Sequence, residues 1–297
     1  MTITILTPDE KQFSKNGRRK TDSKHFVKGK VDKTYYQHPY TYDVVHSIKR
    51  DPKLDELDIL SDILEAQEKT NADWVLLFEG LTTDQTKSIT CRKDYLEHDI
   101  PRYIIQLDFD GECEGANFLT IEEREDIAIK LLPVLEGVKR VAHLSNKAGF
   151  VHEYPNHLAL RLYVELDRHS NNRELIAVFE KYGKGTAICI DHTIFTRRRK
   201  HLLQRPTVGD EYAPIEFEQR ILKMPGSKLS LEKMKKTEQW KEASKDFKAM
   251  KDIASKITDS HVKASKEDLK GLTELAATGY FDRVFRHNAH HTILARG

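Results

Sequence analysis

Tyr103-Ile104-Ile105-Gln106-Leu107-Asp108-Phe109-Asp110-Gly111 decides how the rest of the chain is read. β-Branched and aromatic residues dominate Tyr103 to Leu107 and Pro101 stands just before them, so the run predicts a buried strand. It ends in two aspartates one residue apart, and Gly111 stops it. Side chains alternate along a strand, which puts Asp108 and Asp110 on one face, roughly 7 Å apart at the backbone, and Phe109 on the other. Two carboxylates on one face repel, and burying them unpaired is costly. A divalent cation removes that cost, and Mg²⁺ takes one or two carboxylates together with substrate phosphates.

Working outward, the 297 residues suffice for one large or two modest domains. Charged residues make up 32% against 38% hydrophobic, and the mean hydropathy of −0.62 suits a well-charged surface. No apolar run has the length of a transmembrane helix, and no signal-peptide stretch opens the chain, so a membrane partner is not expected. A net charge of +2 gives no global field for nucleic acid, so any basic surface must be local. Cys91, Cys113 and Cys189 are scattered and odd in number, which argues against a disulfide framework or a cysteine zinc cluster and fits a reducing cytoplasm.

Upstream, Thr2 to Leu6 alternates like a short strand, and Lys11 to Lys33 is a basic arm poor in aliphatics. Tyr35, Tyr36, Tyr40 and Tyr42 form an aromatic cluster. Leu54 to Lys69 carries apolar residues at helical spacing, and Trp74 to Phe78 is a compact strand candidate. Thr86 to Arg92 is a further one. Downstream, Ile121 to Leu135 predicts an amphipathic helix with Thr120 as N-cap and Glu123 completing a capping box. Val138 to Leu144 is a strand candidate leading into Ser145-Asn146-Lys147-Ala148-Gly149. In Leu158 to Leu166, Leu160, Leu162, Val164 and Leu166 share one face, and Arg161 and Tyr163 the other. Asn172 to Tyr182 reads as a helix, and Ala187 to Ile190 as a short strand ending in Asp191. Strands alternating with helices predict an α/β or α+β domain. Pro225-Gly226-Ser227 marks an expected boundary, giving domains 1–225 and 226–297, the second a small helical region or linker with helices over Ser230 to Ile257 and Lys266 to Phe285.

Chemistry concentrates at three places. Asp108 and Asp110 end one strand, and Asp191 ends another, followed by Arg197-Arg198-Arg199-Lys200-His201 and Arg205. Between them lie the Ser145 to Gly149 loop and Arg161. Carboxylates from two strand ends can converge on one or two metal ions, as nucleotidyl transfer requires. A small, polar, lysine-bearing loop can hold phosphates, and arginines suit triphosphates and nucleic-acid backbone.

These residues resemble the archaeo-eukaryotic primase superfamily, in particular the primase-polymerase domains of phages and mobile elements. The hhDhD motif of that family is matched by Ile105 to Asp110, its second motif by Ser145 to Gly149 with Arg161-Leu162-Tyr163, and its hD pair by Ile190-Asp191. The segment Thr193 to Pro206 is similar to one found in the phage branch, and the likeness spans roughly residues 1–225. The resemblance implies an α+β fold, with an RNA-recognition-type sheet beside an N-terminal α/β unit. It implies Mg²⁺ or Mn²⁺ on Asp108, Asp110 and Asp191, and NTPs or dNTPs held by Ser145, Asn146, Lys147 and Arg161. It further implies a single-stranded DNA template contacted by Arg197, Arg198, Arg199, Lys200 and Arg205, and two-metal primer synthesis or DNA polymerisation in phage or mobile-element replication. Many members carry S-x-H in the second motif, where Ser145-Asn146-Lys147 has lysine at the histidine position.

Blander readings stand beside these. The basic run reads as a solvated charge run, His287, His290 and His291 as a polar tail, and Cys189 with His192 as too few ligands for zinc. The pattern G-x-x-x-x-G-K-[ST] is absent, so no ATPase motor is encoded; a replicative helicase would act in trans or lie in a missing C-terminal part. Two other functions explain part of the pattern: a D-x-D metal-dependent glycosyltransferase, and a non-catalytic DNA-binding replication-initiation module.

Overall fold

The computed structural model describes residues 2–9, 25–27, 30–31, 41–49, 55–82, 84–90, 101–183, 188–196, 200–205, 207–208, 214–245 and 248. In chain order the elements are β1 Thr2–Pro8, β2 His25–Val27, β3 Lys30–Val31, β4 Tyr42–Lys49, α1 Glu56–Thr70, β5 Val75–Leu77, β6 Arg102–Phe109, α2 Ile121–Leu131, β7 Arg140–Leu144, β8 Leu160–Ser170, α3 Asn172–Phe179, β9 His201–Leu202, β10 Thr207–Val208, β11 Ile221–Met224 and α4 Leu231–Lys236. The protein is α+β. One antiparallel sheet has the order β4-β1-β5-β9, a second β11-β7-β8-β6, and a small sheet joins β10, β2 and β3.

The second sheet carries the D-x-D strand, and its two faces are buried against different partners. Ile105, Leu107 and Phe109 of β6 pack with Leu160, Leu162, Val164 and Leu166 of β8 into a core that includes Ala128 of α2 and Leu175, Val178 and Phe179 of α3. Ile104, Val141 and Tyr163, on the opposite face, join Leu57, Leu60 and Leu64 of α1 and Ile3, Ile5 and Leu76 of the first sheet. Burying each of those leucines contributes about 1.5–3 kcal/mol. The sheet is therefore sandwiched, and the face bearing the even-numbered residues of β6 looks toward the N-terminal unit.

Local chemistry fixes the helices. Asp55 caps α1 by accepting from the Asp58 amide, and Asn71 ends it in a left-handed turn at φ 48°. Thr120 and Glu123 form the expected capping box on α2. The expected strand Ala187 to Ile190 is instead one antiparallel bridge, Ile190 to Phe109, preceded by Cys189 at φ 43°; Ala187 lies outside the described residues. A left-handed residue departs from the regular extended geometry of a strand.

The expected boundary at 225/226 does not interrupt the packing. Leu229 bridges to Leu166, and Leu229, Leu231 and Met234 are buried in the α2–α3 core. Trp240 donates Nε1–H to the Val178 carbonyl. Gly226 is needed for close approach: a Cβ there would lie 2.3 Å from the Gly137 carbonyl oxygen. The helix expected from Ser230 breaks at Thr237 and resumes over 238–245. Much of the basic arm, Tyr35, Tyr36, Tyr40, Cys91, the helix expected over Lys266 to Phe285 and the three C-terminal histidines lie outside the described residues.

Candidate active site

The three aspartates come to one end of the second sheet. Asp108 is on β6, Asp110 immediately follows it, and the 188–191 segment lies alongside: the Asp191 amide donates to the Asp108 carbonyl at 3.0 Å, and the Asp110 amide to the Cys189 carbonyl at 3.1 Å. The cross-strand neighbour of Asp108 is Arg161, which in turn pairs with His143, so carboxylate, guanidinium and imidazole form one row across three strands.

The side chains divide the work. Arg161 Nε is 3.6 Å from Asp108 Oδ1, an ion pair too long for a hydrogen bond, and Arg161 Nη1 donates to the Leu202 carbonyl of β9 at 2.7 Å. Asp108 Oδ1 is covered yet has no hydrogen-bond partner. Burial first, then the Asp110 carboxylate and, more weakly, that of Asp191, push Asp108 up to about 6 against the opposing pull of Arg161 and Lys147. Asp110 Oδ1 faces Lys147 Nζ at 3.5 Å and His157 Nε2 at 3.3 Å. Burial, aided by Lys147, lowers His157 to about 4, so its ring is neutral near pH 7. Asp191 Oδ1 accepts from the amide and hydroxyl of Thr193, capping the turn His192–Phe195.

Among the described residues, no three His, Cys, Asp or Glu side chains are gathered into a metal cage. The donor set still fits a hard cation. Asp108 offers a covered, unpartnered oxygen beside Asp110, and Mg²⁺ needs only one or two carboxylates when water and phosphate complete its shell.

Of the loop residues, Ser145 and Asn146 are buried, and Ser145 Oγ accepts from the Lys147 amide at 3.3 Å. Lys147 is the member that reaches the aspartates. Arg197, Arg198 and Arg199 lie outside the described residues. Lys200 bonds to the Tyr42 hydroxyl and stands 4.9 Å from the centre of that ring. Arg205 is drawn inward: its Nε meets Glu68 Oε2 at 2.7 Å and its Nη1 meets Glu216 at 3.1 Å.

Glu68, His143, His157, Asn117 and Arg220 were not marked by the sequence. Glu68, near the end of α1, also takes Arg220 Nε at 3.1 Å and His143 Nε2 at 2.8 Å. Burial opposes its charge, but His143, through its hydrogen bond and, when protonated, its charge, and then Arg220 and Arg205 hold Glu68 down at about 2. Burial, opposed by Glu68, keeps His143 below its usual range, so near neutrality the arginines balance the carboxylate and neutral His143 donates from Nε2. Arg220 also reaches the Leu144 and Ser145 carbonyls. The N-terminal helix is thereby tied to the root of the lysine loop. No family model matches the chain, and neither a curated protein nor a solved structure matches it.

Proposed function

We propose that this chain is a DNA-templated nucleotidyltransferase of the archaeo-eukaryotic primase type, making or extending primers from NTPs or dNTPs on single-stranded DNA. The observation that carries the reading is the backbone pairing of Asp191 with Asp108, which joins two distant motifs at one sheet end. The sheet order supports a core related to the RNA-recognition fold. The chain runs β6-α2-β7-β8-α3 and returns at Ile190 beside β6, in the spatial order β7-β8-β6-Ile190 of a split β-α-β unit.

In this reading Asp108 and Asp110 hold Mg²⁺ or Mn²⁺, with Asp191 beside them. When bound, the metal supplies Lewis-acid stabilisation of charge on the transferring phosphoryl group. Lys147 contributes positive charge where a triphosphate sits. Arg161 positions Asp108 and anchors β8 to β9. Arg197, Arg198, Arg199 and Lys200 are proposed template contacts, whereas Arg205 acts through Glu68. A helicase partner in trans belongs to the same proposal.

Incubation with a single-stranded template, labelled nucleotides and Mg²⁺ or Mn²⁺ tests it. Short products without a supplied primer, lost in Asp108→Ala, are the expected result. DNA binding without any synthesis would replace the reading with a non-catalytic replication module, and turnover of a nucleotide sugar with a D-x-D glycosyltransferase.

A further inference from the structure

Asn117 is fully buried, yet its side chain serves the loop that carries Lys147. Its Nδ2 donates to the Lys147 carbonyl at 3.0 Å and to the Tyr154 carbonyl at 2.9 Å, and its Oδ1 accepts from the Gly149 amide at 3.0 Å. Its backbone amide donates to the Pro155 carbonyl at 3.0 Å. Behind it stands Arg124, also fully buried, whose guanidinium donates to the Asn117, Leu119 and Leu158 carbonyls at 3.0, 2.9 and 2.9 Å. Placing a charged group and an amide there is costly unless all their hydrogen bonds are made, and these two make them almost entirely to backbone.

The loop so held presents two donors. His157 Nδ1 accepts from the Ala159 amide at 3.2 Å, which fixes the neutral ring with its proton on Nε2. That Nε2 lies 3.1 Å from Lys147 Nζ. Two donors cannot bond each other, and both face the same acceptor, Asp110 Oδ1. The pair thus converges on one anionic oxygen, that of Asp110, at contacts long for hydrogen bonds, with Lys147 Nζ also lying 5.7 Å from the centre of the Tyr154 ring.

Taking Lys147 as the phosphate contact of the proposed function, we propose that His157 is a second donor beside it and that Asn117, buttressed by Arg124, is the positioning residue of this pair. This rests on the nucleotidyltransferase reading for the identity of the ligand, but not for the geometry. Acting through the loop, Asn117 sets where the donors sit relative to the aspartates and touches no ligand itself.

The test is calorimetric binding of tripolyphosphate to the full chain, with amide hydrogen exchange read at Gly149. Lys147→Ala is expected to weaken binding about tenfold, as loss of one charge-assisted contact worth about 1.4 kcal/mol would. Asn117→Ala is expected to weaken it similarly, to accelerate exchange at Gly149, and to add little on top of Lys147→Ala, because residues acting as one unit are not additive. His157→Phe keeps a ring against Tyr154 and removes the donor; it should lower affinity with Gly149 exchange unchanged, so the donor pair stays testable if Asn117→Ala does not fold. Full additivity of Asn117→Ala with Lys147→Ala, or unaltered Gly149 exchange, overturns the positioning role alone. Unchanged affinity in Lys147→Ala overturns the anion site, and with it the phosphate role given to that lysine.

Discussion

Replacing Glu68 with alanine should cost this protein more stability than replacing Asp108 or Asp110. The Glu68 carboxylate is about 10% exposed and is shared by Arg220, Arg205 and His143 at 3.1, 2.7 and 2.8 Å. Its removal leaves Arg220, itself 8% exposed, without its anion, while Arg205 at 32% recovers some hydration. Breaking a buried pair from one side costs about 3–5 kcal/mol. The proton balance gives a similar figure. A carboxyl held at about 2 instead of its usual 4.5 contributes at most roughly 3 kcal/mol, at about 1.4 kcal/mol for each tenfold change in proton affinity, since neutral His143 gives its hydrogen bond but not its charge. Because the folded pKa is the lower one, that contribution is whole above about 4.5 and is lost as pH falls toward 2. His143 acts in the same direction: buried neutral, it binds protons more readily in the unfolded chain, so stability falls as pH drops below its usual 6.5. Urea unfolding of wild type and Glu68→Gln from pH 7 to pH 3 measures both. The expected result is a gap of about 3 kcal/mol at pH 7 that narrows below pH 4.5, with Glu68→Ala melting roughly 6–15 °C lower at pH 7. A Glu68→Ala melt within about 2 °C of wild type, or a gap independent of pH, would refute the assigned network.

Other outcomes follow from the site. Asp108→Asn should melt higher than wild type at pH 7 without added metal, because a folded pKa raised to about 6 is a penalty present above that pH; the gain should fade as pH falls toward 4, and thermal melts across that range check it. Asp108→Ala and Asp191→Ala should each lose about a thousandfold in templated synthesis, since about 1.4 kcal/mol is a factor of ten; near-normal synthesis by Asp191→Ala would leave that residue only its cap on Thr193. Truncation after residue 225 removes the buried Leu229, Leu231 and Met234, at about 2–5 kcal/mol each, and should give insoluble or unfolded chain by circular dichroism. Gly149→Ala brings a Cβ to 2.3 Å from the Ile215 carbonyl oxygen at φ 90°, and a fall in melting temperature with weaker tripolyphosphate binding is expected.

What could be read from the sequence was what depends on near neighbours. Alternation put Asp108 with Asp110 and separated Leu160, Leu162, Val164 and Leu166 from Tyr163, because the pleat has period two. The box of Thr120 and Glu123 joins residues three apart and was equally visible. Glu68, Asn117, Arg124 and His157 gave no local signal: each gains its meaning from partners that no helix or strand spacing rule names, as Glu68 does from Arg220 and Asn117 from Lys147 and Tyr154. A buried glutamate at a helix end and a surface one look alike in sequence. Pro225-Gly226 suggested a boundary, and the close packing there was not legible for a related reason. Such a pair ordinarily punctuates a loop, whereas here Gly226 lets backbone press on the Gly137 to Lys139 turn. The basic character of Arg205 suggested DNA, and its ion pair with Glu68 could not be read from the sequence.

The connection from β7 to β8 lends itself to exchange. Its base is stapled where the Ser145 amide meets the Ala159 carbonyl at 2.8 Å, and its far limb is sewn to the neighbouring loop where the Leu158 amide meets the Gly111 carbonyl at 3.0 Å. Both staples are main-chain bonds, indifferent to side-chain identity. Within residues 146–157 the exposed positions can thus be rewritten without unpicking the hairpin beneath them, provided the buried Ala148 and Phe150, Gly149 at φ 90° and the backbone bonds to Asn117 are kept. Whatever then stands in place of Lys147 and His157 will be displayed against Asp110, which makes these two the natural positions to vary together.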